Sequence, residues 1–134
     1  MATISVVISA WNEEAKIKQC LESLDWADEI IVVDNSSTDT TGKIAGHYKA
    51  KVYIQPNNPM LNVNKNFGFA NATGDWILSL DADEIIPESL AREIKEHVNN
   101  SDKAGYWIPR KNIIFGKWIR HGLWWPDKQL RLFR

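Results

Sequence analysis

Three continuous apolar runs, each closed by a polar or acidic cluster, constrain the fold of this chain more than any other feature. They are "TISVVIS" (3–9), "EIIVVD" (29–34) and "DWILSL" (75–80). Short β-branched runs that are apolar at odd and even positions alike read as strands buried on both faces. Helical patterns lie between them. Ile17, Cys20, Leu21 and Leu24 recur at i, i+3, i+4 and i+7, which marks one buried helical face. Asn12 reads as the N-cap of that helix, with Glu13 and Glu14 in its electropositive first turn. The turn cluster "NSSTDTTG" (35–42) leads into a short helical segment ending near Tyr48. A weaker third strand, "AKVYIQ" (50–55), is ended by "PNNP" (56–59). Residues 61–72 read as a helix that contains Gly68. Pro87 at an N1 position opens "PESLAREIKEHV", whose Leu90, Ile94 and Val98 share a face. Strands alternating with helices predict an α/β domain on a mostly parallel sheet flanked by helices. After residue 104 the pattern turns into aromatic-rich, strand-like pieces without helices, so the last quarter reads as β-rich.

Composition narrows the class. A chain of 134 residues with 44% hydrophobic and 25% charged residues suits one folded domain rather than a disordered segment. No apolar run approaches the roughly 18–20 residues that span a bilayer. The opening "MATISVVIS" lacks a basic n-region, so no signal peptide is expected. The single Cys20 cannot build a disulfide framework, which fits a reducing compartment, and its helical position reads as core. These features together predict a cytoplasmic protein. The net charge of −1 hides an asymmetry: residues 110–134 carry seven bases against Asp127, or +6, leaving −7 on residues 1–109. The basic end reads either as a solvated face or as a surface attracted to phosphates or an anionic membrane. No nucleic-acid partner is expected.

In open α/β sheets, ligands bind outside the carboxyl ends of the strands, near the point where strand order reverses. The residues at the end of each predicted strand therefore map the site. Strand one ends in Ala10, Trp11, Asn12 and Glu13, and strand two in Asp34, Asn35, Ser36 and Ser37. The "DWILSL" strand ends in Asp81, Ala82, Asp83 and Glu84. Neither GxGxxG nor GxxxxGKS occurs, so no dinucleotide fingerprint or P-loop is indicated. Asp81 and Asp83, at i and i+2 on extended backbone, would point to one side. Two close carboxylates repel unless a cation joins them, and oxygen donors of this kind suit Mg²⁺ or Mn²⁺ with positions left for substrate phosphates. The other reading is a turn with capping acids ahead of Pro87, Glu84 among them. Trp11 either stacks a flat base or fills a core gap. Asp34 either accepts a base N–H or caps the Ser/Thr-rich turn. Lys65 either holds a diphosphate or is an ordinary surface lysine. His47, His97 and His121 share no ligand spacing.

The order of these pieces is more specific than any of them alone. From "VVISAWNEE" through "IIVVDNSSTDTT" and "NKNFGFANATGDWILSLDADE" to "WWPDKQLRLFR", the sequence resembles the family 2 glycosyltransferases of GT-A fold. In character it resembles the bacterial group that extends lipopolysaccharide core or related cell-surface glycans. The resemblance implies a Rossmann-like nucleotide-diphospho-sugar transferase fold and a metal-dependent, inverting transfer from a UDP-sugar to a glycan or lipid-linked acceptor. It implies Trp11 against the nucleotide base, Asp34 reading the uracil N–H, and Lys65 near the diphosphate. Ser36 lies in the turn after that acid; Ala10, Glu13 and Ala82 complete the nucleotide-binding positions. Asp81 stands toward the ribose and metal, and Asp83 is the direct metal ligand. Residues 1–103 would bind the nucleotide-sugar, and 104–134 would form the acceptor side. In this family the general base lies beyond the DxD, often in a Glu-Asp pair that is absent here. Asp127, alone among acids after Asp102, is the candidate catalytic base. Family members usually run well past this length, so the chain is expected to be either a truncated domain or a minimal catalytic core. Trp118, Trp124, Trp125, Arg120 and Arg131 could face an acceptor, an anionic membrane or a second copy in a homodimer. A nucleotide-binding module without transferase activity is the alternative. A phosphatase with an aspartyl nucleophile is disfavoured because its DxD would stand near the start of the domain.

Overall fold

The computed structural model describes residues 2–57, 61–100, 105–109 and 128–134. The elements run β1 (Ile4–Ala10), α1 (Ile17–Glu22), β2 (Glu29–Asp34), α2 (Thr41–Gly46), β3 (Lys51–Ile54) and α3 (Leu61–Asn71). β4 (Trp76–Asp81), α4 (Glu88–Asn100), β5 (Gly105–Pro109) and β6 (Lys128–Phe133) complete them. One six-stranded sheet has the order β3-β2-β1-β4-β6-β5. The first four positions are parallel, whereas β6 runs antiparallel to both β4 and β5. The expected α/β layering is present, and the described residues of the last quarter supply β5 and β6.

Alternation along β1 divides the core. Val6 and Ile8 face one side with Leu78 and Leu80, under Ile17, Cys20, Leu21 and Leu24 and under Leu90, Ile94 and Val98 of α4. The periodic positions read from the sequence are thus the ones buried, although α1 itself stops before Leu24. Val7, Ile31 and Val33 face the other side, covered by Phe67 and Phe69 of α3. Here Gly68 is required by close approach: a Cβ would stand 2.5 Å from Val7 Cγ1 and 3.0 Å from Val33 Cγ2. β3 is the weak edge strand its sequence suggested, with both terminal residues exposed.

The amino ends of the strands are tied by one acid. Glu29 accepts from Ser5 Oγ at 2.6 Å, Lys51 Nζ at 2.6 Å, Thr73 N at 2.9 Å and Thr73 Oγ1 at 3.2 Å. β1, β2, β3 and the loop into β4 therefore meet on a single carboxylate. Partial burial alone would push this carboxyl up, but the bonds from Lys51, Ser5 and Thr73 hold it down at about 2.

Two outcomes are expected. Gly68→Ala should destabilise the fold by about 1–3 kcal/mol despite the higher helix propensity of Ala, because the new methyl group meets branched core side chains; urea unfolding measures it. For Glu29 the folded value lies below the unfolded one of about 4.3, so its contribution is complete above that pH and is lost as pH falls toward 2. Glu29→Gln should lower stability at neutral pH and flatten the decline between pH 5 and 2, read from melting temperatures across that range.

Candidate active site

β1 lies between β2 and β4, and the chain crosses from one side of it to the other through β3 and α3. The crevice at such a reversal opens at the carboxyl ends. Register makes those ends level: Ala10 pairs with Asp34, and Ser9 with Asp81. The loops leaving the three strands therefore share one rim.

The first two loops on the rim lock together. Asn12 N–H donates to Ser37 Oγ at 2.9 Å, and Thr38 N–H donates to Asn12 Oδ1 at 2.8 Å. Glu13 N–H donates to Thr41 Oγ1 at 2.9 Å, and Glu14 Oε2 accepts from Thr40 N and Oγ1 at 3.0 and 2.7 Å. Asn12 and Ser36 adopt left-handed backbone, with φ of 51° and 60°, so both loops turn sharply. Asn12 is consequently not the N-cap of α1. The helix starts at Ile17, after a turn in which Lys16 and Ile17 N–H donate to the Glu13 carbonyl. The Asn12 side chain serves the opposite loop instead of its own helix.

Asp34 ends β2 with only 5% exposure. Its Oδ1 accepts from Ser37 N–H at 3.0 Å, so it does cap the Ser/Thr-rich turn. Its Oδ2 lies against α2, where a Cβ on Gly42 would come within 2.7 Å. Trp11 is 49% exposed on the rim, which overturns the core-filling alternative. Ser36 is exposed, and its hydroxyl donates to the Gln55 carbonyl at 2.7 Å, tying the loop to the end of β3. Ala10 and Ala82 are buried floor residues. Lys65, from α3, brings Nζ within 3.5 Å of Asp81 Oδ1.

The acid pair differs from its sequence reading in one respect. Asp81 is the last residue of β4, and Ala82 and Asp83 form a turn closed by Glu84 N–H donating to the Asp81 carbonyl at 3.0 Å. The two aspartates are thus separated by a turn and do not alternate along extended backbone. Asp83 is exposed, whereas Glu84 is 1% exposed. Cys20, in the core as expected, lies beneath, 3.8 Å from the Asp81 carbonyl; burial and the neighbouring acids Glu84, Asp83 and Asp81 push its thiol up to about 12. Burial, then Asp83, and then Asp39 and Asp81 against the opposing Lys16 raise the Glu13 carboxyl. Carboxylates from three loops therefore feel one another on this rim. No group of three or more His, Cys, Asp or Glu side chains forms a metal cage among the described residues. Two carboxylates with an exposed outer member fit Mg²⁺ or Mn²⁺, which commonly take one or two protein oxygens and complete their shell with phosphates and water. Trp118, Arg120, His121, Trp124, Trp125 and Asp127 lie outside the described residues.

A buried amide pair was not legible from local pattern. Asn64 Nδ2 donates to Asn35 Oδ1 at 2.6 Å and to the Pro56 carbonyl at 2.9 Å, and Asn35 Nδ2 donates to Ser9 Oγ at 2.9 Å. It joins β1, the loops after β2 and β3, and the helix that carries Lys65. The available signal was Asn64 itself, a polar residue one turn before Gly68 on the face that meets the sheet.

The profile of Glycosyl transferase family 2 matches residues 5–134. The chain belongs to this family. An uncharacterized glycosyltransferase of Rickettsia typhi is 41% identical over 96 residues, covering 71% of this chain and 32% of that protein. The lipopolysaccharide core biosynthesis glycosyltransferase LpsC of Rhizobium meliloti is 29% identical over 119 residues, covering 84% of this chain and 44% of its own. Among solved structures, glucosyl-3-phosphoglycerate synthase of Mycobacterium tuberculosis, in complex with Mn²⁺, UDP and glucosyl-3-phosphoglycerate, aligns with a TM-score of 0.65 at 31% identity. That alignment covers 78% of this chain and 42% of the synthase. TarS 1–349 of S. aureus aligns with a TM-score of 0.64 at 26% identity over 72% of this chain and 32% of that one. The fold is therefore the GT-A nucleotide-sugar transferase fold. The chain spans about a third of the length of the rickettsial relative. Family membership removes the phosphatase reading.

Gly42→Ala should displace the Asp34 carboxylate while leaving the fold intact, because the blocking atom is the end of a side chain. Hydrogen exchange at Ser37 N–H is expected to accelerate by about tenfold, the equivalent of losing roughly 1.4 kcal/mol of hydrogen bonding.

Proposed function

We propose that this chain is the donor-binding part of an inverting glycosyltransferase that takes a UDP-sugar, with Mn²⁺ or Mg²⁺ at Asp81 and Asp83. The acceptor is a glycan or lipid-linked sugar of the cell envelope. What supports this reading most is the level convergence of Trp11, Asp34 and Asp81 at adjacent strand ends of a family 2 chain. The solved relatives bound to UDP, one of them also with Mn²⁺, support the nucleotide and the cation. The similarity to LpsC supports the envelope acceptor.

In this reading the exposed indole of Trp11 offers its face to the base, and Asp34 Oδ2 accepts the base N–H while Oδ1 keeps the turn. Ala10, Glu13, Ser36 and Ala82 wall the nucleotide, and Lys65 neutralises diphosphate charge. A divalent cation, when bound, acts as a Lewis acid that makes the nucleoside diphosphate a better leaving group. Asp127 takes the proton of the acceptor hydroxyl as it attacks the anomeric carbon. Attack from the face opposite the nucleotide inverts that carbon. Residues 1–103 hold the donor and 104–134 the acceptor side. The +6 balance of residues 110–134 favours a phosphate-bearing acceptor or peripheral contact with an anionic membrane. Among the described residues, no helix is long and apolar enough to cross a membrane.

Calorimetric titration of UDP with and without Mn²⁺ tests the reading. Binding should tighten with Mn²⁺, and Asp83→Asn should remove that gain, about tenfold or more. Asp127→Asn should leave binding unchanged and suppress transfer by roughly 10²–10⁴-fold, the usual worth of a general base. UDP binding without transfer from any UDP-sugar would favour the nucleotide-binding module instead.

A further inference from the structure

Glu84 is the least exposed charged side chain on the rim, at 1%, and the donor-site reading gives it no role. A helix cap does not explain it. α4 begins at Glu88, and Ala91 N–H, the first donor of that helix, reaches the Pro87 carbonyl. The Glu84 carboxylate instead turns back, and its Oε1 accepts from Asp81 N–H at 2.8 Å. The reciprocal bond runs from Glu84 N–H to the Asp81 carbonyl at 3.0 Å, and Cys20 Sγ approaches the same carbonyl at 3.8 Å. Both backbone polar groups of Asp81 are therefore fixed, one of them by a buried carboxylate. Ala82, 2% exposed, is pressed into the core, and Asp83 is left outside.

A buried carboxylate beside two others is unfavourable unless it is hydrogen-bonded, and Asp81 N–H supplies one such bond. The turn is already closed by its backbone bond from Glu84 N–H to the Asp81 carbonyl. The additional side-chain bond sets the direction in which Asp81 leaves β4, and thereby the placement of Asp83 two residues on.

We propose that Glu84 is a positioning residue for the cation carboxylates: its hydrogen bond to Asp81 N–H holds Asp81 and Asp83 in the arrangement that receives a divalent ion together with a diphosphate. This inference rests on the donor-site reading. The hydrogen bond, rather than the charge, is the operative element, because Oε1 acts on the backbone N–H of Asp81, the group that fixes where the strand ends.

The test uses the full chain as wild type, Glu84→Gln and Glu84→Ala. Each is titrated with UDP, with and without Mn²⁺, beside a thermal melt. Glutamine keeps a carbonyl oxygen at the acceptor position. It should retain the Mn²⁺-linked gain in UDP affinity within about threefold, whereas alanine should lose about tenfold of it. Affinity for UDP without metal should stay within about twofold in both, since Trp11 and Asp34 are untouched. A purely structural role would lower the melting temperature and leave the metal-linked gain intact, which overturns the proposal. Equal loss in the glutamine and alanine proteins also overturns it, by assigning the effect to charge. If Glu84→Ala does not fold, Glu84→Asp, with the charge kept and the reach shortened by one methylene, should show the same loss. A wild type without any Mn²⁺-linked gain overturns the donor-site reading itself and this inference with it. A wild-type gain that survives in Glu84→Ala overturns only the role of Glu84.

Discussion

β1 has hydrogen-bonded neighbours on both edges, β2 on one side and β4 on the other, both parallel to it. A strand in that position has no free edge, so its carboxyl end is the only direct exit toward the crevice between the two halves of the sheet. The register then decides which side chains meet there, and a slip of one residue would exchange the two buried faces along the whole strand. The same constraint reaches the helix that crosses from one half to the other. α3 can lie close to Val7 and Val33 only because residue 68 lacks a side chain. Lifting it would withdraw Asn64 from Asn35 and Lys65 from Asp81 together. Core packing and site geometry are therefore one requirement.

The two ends of the sheet treat acids in opposite ways. At the amino end Glu29 accepts four hydrogen bonds, one of them from an ammonium group, and its charge is compensated within the fold. At the carboxyl end Asp83, Asp39 and Asp81 add to burial in pushing the Glu13 carboxyl up, against Lys16, while hydrogen bonds from Thr41 hold the Asp39 carboxyl down. A saturated acid stabilises the fold and has little left to offer a ligand. Under the proposed function, a cation at Asp81 and Asp83 would relieve the repulsion that raises the Glu13 carboxyl. Under the proposed function, one rim holds the strands while the other binds.

Periodicity made the strands, the buried faces of α1 and α4 and the composition of the rim legible, because each is written in residues a few positions apart. Leu90, Ile94 and Val98, and Ile17, Cys20 and Leu21, needed nothing beyond that spacing. Asn12 did not follow its local signal. An Asn before two acids has the pattern of a helix cap, yet its partners Ser37 and Thr38 lie 25 and 26 residues away. Trp11 gave no local sign of whether it faced the core or solvent, and the fold leaves it exposed. The turn at Asp81–Glu84 was hidden for a related reason. Alternation is a property of extended backbone, and nothing in "DADE" states where the strand stops. Nor does any local pattern record that β6 inserts beside β4, since antiparallel pairing between segments so distant along the chain is a tertiary event.

Asp34 joins these threads. A carboxylate that is 5% exposed needs its oxygens satisfied, and among the described residues its Oδ1 takes a single backbone N–H from Ser37. Such a group is tolerated because the strand holds it from behind and the interlocked loops from in front. Gly42 leaves room for Oδ2 where any side chain would fill it. The fold thus keeps acceptor capacity at a fixed, largely dry position, where a hydrogen bond is worth more than at an open surface. Under the proposed function a base N–H would use that capacity, and the unfavourable free energy of holding a carboxylate there would be offset by affinity for one face of the nucleotide. An asparagine could fill the same space and cap the same turn, but it would present an amide donor in one of its two orientations. Under the proposed function, an acceptor-only carboxylate there would favour bases that offer an N–H over bases that offer a lone pair.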